Sequence, residues 1–324
     1  MSVMAQEYEA ALQATAAFFE DRQTRPGVVA RRLLGIPTIA DETLRSHLVA
    51  ERRRRTRMDG GIAGWMFATT WSAWELLQLG CPPDHAGVHR MVGFLLKQQD
   101  QPGRFGEGCT ARRHAAGQCH HVIGGFFSPG RAENPIAPLT FPNGAVVRGE
   151  WDARFAASCF TLRTVLQARR EARPPVRRHI ESLLFLQEGW RLGRFEAPLD
   201  LGFFALGALS LAPIEYRRQV ERMIDHLTEF QQPDGSWPDA SLFHVLDVLL
   251  STPTPATREA LRRSAPVLLA RQRSDGTFDD DANEERALIG LRVLRFLGVG
   301  RTTPRPPRYS LPTGALRPRR PEHR

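Results

Sequence analysis

The sequence predicts an all-α fold of stacked helical hairpins in which an inner set of helices is enclosed by an outer set. Two observations carry this expectation. Glutamine, a short spacer, glycine, one residue and a bulky aromatic recur four times: Gln99-Asp-Gln-Pro-Gly-Arg-Phe105, Gln187-Glu-Gly-Trp-Arg-Leu-Gly-Arg-Phe195, Gln231-Gln-Pro-Asp-Gly-Ser-Trp237 and Gln272-Arg-Ser-Asp-Gly-Thr-Phe278. Their first residues lie 88, 44 and 41 positions apart, and 88 is two steps of 44. A period in the forties with a helix on each side of a glycine turn marks a repeated hairpin, which must stack on its neighbours to bury an apolar face. The second observation is an asymmetry within each pair: the first helix is apolar nearly all round and the second on one stripe only. An inner ring packed inside an outer ring requires that difference.

The elements follow in order. Ala5 to Phe19 and Asp41 to Arg54 read as helices separated by a break at Pro26-Gly27. Ile62 to Leu79 is an apolar inner helix ended by Cys81-Pro-Pro-Asp, with His85 to Gln98 as its outer partner. Later pairs are Glu150 to Arg169 with Pro175 to Gln187, Leu199 to Leu211 with Tyr216 to Gln231, and Ala240 to Leu250 with Thr257 to Gln272. Asn283 to Leu297 closes the set. Residues 1–60 are expected as N-terminal helices packing on the repeat body of residues 61–300. Between Gly106 and Gly149 the helical pattern gives way to glycines, prolines and a cluster of two cysteines and three histidines. An insertion of that length inside a repeat array points to function. Residues 301–324 are Arg/Pro-rich and expected to be disordered.

Within each repeat the motif residues have structural work. Glycine permits a positive φ after the outer helix. Glutamine can bond groups left free at helix ends, and the aromatic covers the junction with the next hairpin.

Composition narrows the function. With 324 residues and 42% hydrophobic content there is material for a sizeable core, and no apolar run reaches the length of a membrane span. Glu7, Glu9, Glu20 and Asp21 are wrong for a secretory signal, so a cytoplasmic protein is expected. The formal charge is +9, yet Lys97 is the sole lysine among 44 basic residues. That arginine bias reads as codon choice, and no aromatic-basic interleaving accompanies it, which disfavours nucleic acid as a partner. Contact with anionic headgroups stays compatible with the charge. Oligomeric state is not legible. Cys81 and Cys159 fall in or near apolar helices and read as small core residues.

The Gln-to-Trp repeats at Gln231–Trp237 and Gln272–Phe278, with the looser copies before them, resemble those of the terpenoid cyclase and protein prenyltransferase superfamily. Glu150-Trp-Asp-Ala153 also resembles the Trp-Asp start of inner helices in squalene-type cyclases. The resemblance covers roughly residues 60 to 300 and implies an α/α toroid of concentric inner and outer helices. It further implies isoprenoid processing in a central cavity, since members act on large apolar substrates.

Three groups of residues could carry chemistry. Aligned on Ala287 and Leu291, the superfamily's Asp-x-Asp-Asp acid motif falls on Ala282-Asn283-Glu284-Glu285, where Ala and two Glu replace its aspartates. Glu284, Glu285 and Asp281 are thus the candidate acids; crowded carboxylates raise one another's pKa and keep one protonated. Asp280, Asp281 and Glu284 could instead hold Mg²⁺, if the substrate is a diphosphate. The same residues also suit a plain helix start, with Asp281 as cap and Glu284 completing a capping box. Cys109, His114, Cys119, His120 and His121 place five soft or borderline ligands within 13 residues, a set suited to Zn²⁺ that clips the insertion or activates a thiol. Otherwise they pack or line a pocket. Phe67, Trp71 and Trp74, with Phe155 and Phe203 from later inner helices, form an aromatic wall for an apolar or cationic species, or ordinary core. Asp152 and Asp200 open inner helices, and His244 and Asp247 add polarity to another.

Three functions follow: a terpene cyclase- or prenyltransferase-like enzyme, a zinc-dependent transferase, or a toroid that binds a lipid or protein without turnover.

Overall fold

Turns between helices set the architecture. The computed structural model describes residues 3–101, 124–130, 133–194, 197–279 and 283–298. In it, Gln231–Trp237 and Gln272–Phe278 close in the same way. Gln232 N donates to Ser236 O at 2.8 Å and Arg273 N to Thr277 O at 2.9 Å, with Gly235 and Gly276 at φ 88° and 83°. A Cβ at either glycine would lie 2.1 Å from Arg263 O or 2.2 Å from Ala14 O, so the left-handed turn and the close approach both demand glycine. A further turn of the same design, Thr56 to Ile62, is not apparent in the sequence. Arg57 N donates to Gly61 O at 2.9 Å, Gly60 has φ 94°, and Asp59 accepts from Gly61 N as Asp234 does from Ser236 N. Threonine and isoleucine stand there where other copies carry glutamine and an aromatic.

Two copies need correction. Gln99 bridges to Phe127 and donates through Nε2 to Gly125 O at 2.8 Å. Gly125 has φ 78°. The glycine and aromatic of this turn are therefore Gly125 and Phe127, and residues 102–123 are inserted within it. Phe105 lies outside the described residues. Gln187 sits inside a helix that runs on to Arg191, and Phe195 also lies outside the described residues.

The helices are α1 (Val3–Phe18), α2 (Arg25–Leu34), α3 (Ile39–Arg55), α4 (Met66–Gln78), α5 (Ala86–Leu96), α6 (Glu150–Gln167), α7 (Pro174–Arg191), α8 (Leu199–Leu209), α9 (Arg217–Glu229), α10 (Leu242–Ser251), α11 (Pro255–Arg263), α12 (Ala265–Ala270) and α13 (Glu284–Gly298). The break expected at Pro26-Gly27 is instead the first turn of α2, capped by Thr24 Oγ1 accepting from Gly27 N. Proline at a first turn loses no helical hydrogen bond. The single helix expected over Thr257 to Gln272 is two, because Pro266 cannot donate within a continuous helix.

Contacts among six of these helices form a closed cycle. α4 packs on α6, α6 on α8, α8 on α10, α10 on α13, α13 on α2, and α2 back on α4. The remaining long helices lie against this set: α3 on α2 and α4, α5 on α4 and α6, α7 and α9 on α8, α11 on α10 and α13, and α1 on α13 and α2. Burial follows the same division. Every residue of α8 from Leu201 to Leu209 is buried, whereas α9 buries only Met223, Ile224 and Leu227. The repeat glutamines tie neighbours together: Gln231 Nε2 donates to Ala260 O and Ser264 Oγ of the following outer segment. Gln272 Nε2 donates in the same pattern to Ala11 O and Thr15 Oγ1. The N-terminal helix α1 thus occupies the place of the next outer helix.

Before α6 the chain forms an antiparallel hairpin, β1 (Leu139–Thr140) and β2 (Val146–Val147), pairing Leu139 with Val147. Its turn closes through Phe141 N to Ala145 O at 2.8 Å, and β2 rests on α6.

Candidate functional site

The hairpin tip enters the mouth of the helix cycle. Phe141 lies 5.2, 5.9 and 4.5 Å, ring centre to ring centre, from Phe67 on α4, Phe160 on α6 and Phe204 on α8. Asn143 Nδ2 is 3.1 Å from His244 Nδ1 on α10. From α13, Arg286 donates to the carbonyls of Asn143 and Gly144, each at 3.2 Å, and Asn283 Nδ2, just before that helix, donates to Pro142 O at 3.4 Å. The tip is thereby held by five helices of the cycle.

Beneath it lies a chamber walled by Trp74, Phe160, Phe204 and His244 and reached by the charged groups Arg163, Asp247 and Glu285. Its open volume is about 30 Å³, room for about two water molecules. This state therefore excludes a large apolar ligand.

The charges are paired. Glu285 accepts from Arg25 Nη2, while Arg25 lies over the Trp74 ring at 4.5 Å and its Nε is 3.7 Å from Glu75. Asp247 meets Arg163 at 2.6 Å and Arg292 at 3.7 Å. Burial opposes its ionisation, but the two guanidiniums outweigh that cost and hold the Asp247 carboxyl below the usual carboxylate range. Burial drives the His244 pKa down to about 3; Arg163 adds to the fall and Asp247 opposes it. The imidazole is thus neutral. Asn143 Oδ1 accepts from Ala145 N at 3.1 Å, which orients its amide to donate to His244 Nδ1. The ring proton is then assigned to Nε2, an atom with no hydrogen-bond partner in a ring stacked 3.9 Å from Phe204.

The predicted residues separate. Trp74, His244 and Glu285 line the chamber, and Phe67 meets the plug above it. Trp71 lines a groove and a cleft beside the chamber. Glu284 points to Thr24, whose Oγ1 donates to it at 2.6 Å, with Arg22 at 3.9 Å. It lines that cleft. Phe155 and Phe203 are buried elsewhere: Phe155 stacks with Trp151 and meets Phe126 and Trp190, and Phe203 packs on Trp237. One residue along a helix rotates a side chain by about 100°, which puts Phe204 and not Phe203 on the chamber; Phe160, five residues and more than a turn beyond Phe155, takes that place on α6. Asp152, partly exposed at the first turn of α6, does not line the chamber. Asp200, one turn before Phe204, is pushed up to about 6 by burial, against the opposing pull of the Ser241 amide; its Oδ1 has no partner.

Asp281 and the set Cys109, His114, Cys119, His120 and His121 lie outside the described residues. The cap of α13 is Asn283, whose Oδ1 accepts from Glu285 N and Arg286 N. Among the described residues no group of three or more His, Cys, Asp or Glu side chains is placed to hold a metal ion, and no helix is long and apolar enough to cross a membrane. Sequence reasoning missed Phe141, Asn143, Arg25 and Arg163; none belongs to a motif, and only the fold brings them to one axis.

No family model and no curated protein matches the chain. Solved structures do. A variant of the type II terpene cyclase MstE from Scytonema, in complex with its substrate geranylgeranyl dihydroxybenzoate, is 12% identical, with TM-score 0.54 over 92% of this chain and 99% of that one. Another variant, with the product merosterolic acid A, is 14% identical, with TM-score 0.52 over 91% and 98%. The apo enzyme gives 12% and 0.53 over 90% and 98%. The chain is therefore all-α with a terpenoid cyclase-like fold.

Proposed function

We propose that this chain is an isoprenoid-processing α/α toroid of the type II cyclase kind. One observation carries the reading: Glu285 and the aromatic rings of Trp74, Phe160 and Phe204 converge on one chamber inside the helix cycle. In this reading protonated Glu285 delivers its proton to a terminal alkene carbon. The π pair forms the new C–H bond and leaves a carbocation, which the rings stabilise by about 0.5–2 kcal/mol each when desolvated. The π pair of a second alkene in the same chain attacks that cation, closing a C–C bond and moving the charge to a new carbon. A carbon next to the last cation then gives up a proton to water, leaving an alkene, and Glu285 regains a proton from solvent. The described state is not yet competent, because Arg25 engages Glu285 and the hairpin tip fills the mouth. Turnover then requires both to withdraw.

Those two obstacles favour a second reading, a toroid that binds an isoprenoid without converting it. Incubation with geranylgeranyl dihydroxybenzoate and with squalene, followed by mass spectrometry and NMR of the products, separates the readings. The cyclase reading expects a cyclised isomer from one of them, with the rate falling at least roughly 100-fold in Glu285→Gln. Binding of either compound with no product in any condition favours the second.

A further inference from the structure

The chamber connects outward to a wider groove. Trp71, Glu75 and Arg52 line both the groove and a cleft of about 370 Å³, and Pro142 and Glu285 line both the cleft and the chamber. The groove runs between α4 and the approach to β1 and encloses about 480 Å³, within the range of ligand sites. Trp65, Phe67, Trp71, Ile136 and Leu139 supply the apolar part of its walls, with Ser72, Glu75 and Thr140 beside them, and Trp65 is 41% exposed. Arginines from the last turn of α3 also line it. Arg52 is already engaged by Glu75 at 2.6 Å and Glu51 at 3.1 Å. Arg55 stands 3.8 Å from that same Glu51, with its side chain 57% exposed.

An apolar trough edged by a weakly paired guanidinium fits a ligand with a long tail and one negative charge. Arginine binds carboxylate through two parallel hydrogen bonds. A diphosphate would bring several charges into a groove that also holds Glu75, where among the described lining residues Arg55 is the one arginine not already held by a carboxylate at close range. We propose that this groove binds a prenyl-chain carboxylic acid, its tail along Trp65 and Trp71 and its carboxylate on Arg55, and that it feeds the chamber past Pro142. The inference rests on the isoprenoid reading for the tail, but not on turnover.

Calorimetric titration of the full chain with geranylgeranoic acid, geranylgeraniol and geranylgeranyl diphosphate tests it. The acid should bind at least tenfold tighter than the alcohol and tighter than the diphosphate. Arg55→Gln, at an exposed position, should bring the acid to the alcohol's Kd. Ala68→Trp, which fills the groove, should weaken acid and alcohol alike at least tenfold. Equal Kd values for acid and alcohol, tighter binding of the diphosphate, or indifference to either substitution would overturn the proposal. A chain that binds the acid as expected yet converts nothing upholds the groove and defeats the cyclase reading. Cyclisation by an enzyme indifferent to Arg55→Gln defeats the groove alone.

Discussion

His179 and Asp200 show how burial sets a residue's response to pH, unopposed at His179 and against the Ser241 amide at Asp200. His179 lies 4.3 Å from Phe126 and 5.7 Å from Phe127, neither ring nitrogen has a partner, and burial lowers its pKa to about 3. With His244 it stays neutral in the fold, while the unfolded chain protonates near 6.5. Their contribution is complete above about pH 6.5 and falls as pH drops toward 3, by as much as about 1.4 kcal/mol per pH unit for each. His179→Phe should shrink the stability lost between about pH 7.5 and 4.5 in urea unfolding. Asp200 acts in the opposite sense. Its raised pKa means that stability is full below about 3.8 and declines as pH rises through 6. Asp200→Asn, whose carbonyl can still accept from Ser241, should be more stable than the parent above about pH 6.5 by about 1–3 kcal/mol.

At the scale of the turn, glycine has two separable roles. Gly276 has φ 83° and no room for a Cβ; Gly193 has φ 66°, and a Cβ there would meet no atom of the described residues within 4 Å beyond its chain neighbours. Gly193→Ala should cost about 1–2 kcal/mol, the left-handed strain alone. Gly276→Ala should cost roughly 2 kcal/mol more, since α1 must move away. Chemical denaturation of both variants measures the difference. The Gln231 and Gln272 turns were legible from sequence because their chemistry is local: glutamine, glycine and an aromatic at fixed spacing suffice to mark them. The turn at Thr56–Ile62 was not legible, because it keeps only the Asp-Gly pair, at Asp59-Gly60, and carries threonine and isoleucine where glutamine and an aromatic mark the other copies.

Across the whole molecule, closure of the helix cycle rests on the N-terminal segment. α2 joins α13 to α4, and α1 accepts the Gln272 side chain, as the next outer segment accepts that of Gln231. Repeat arrays draw stability from neighbour interfaces, so opening this one should expose both flanks. Removal of residues 1–20 should accelerate amide hydrogen exchange in α13 and α2 at least roughly tenfold while α8 changes little.

Sequence alone determined the helical class, the hairpin period and the helix that opens with Glu284-Glu285, because periodicity and turn chemistry act within a few residues. It placed Trp74 and His244 among the candidates for the same reason, since each decorates or breaks an inner-helix pattern, whereas Glu285 came from the resemblance of Ala282-Asn283-Glu284-Glu285 to the superfamily's acid motif. Only the tertiary structure decided that Phe160 and Phe204 face the chamber, that Arg25 answers Glu285 across 260 positions of chain, and that Phe141 and Asn143 close the mouth. Those outcomes depend on helix rotation and long-range approach, and no local pattern encodes either.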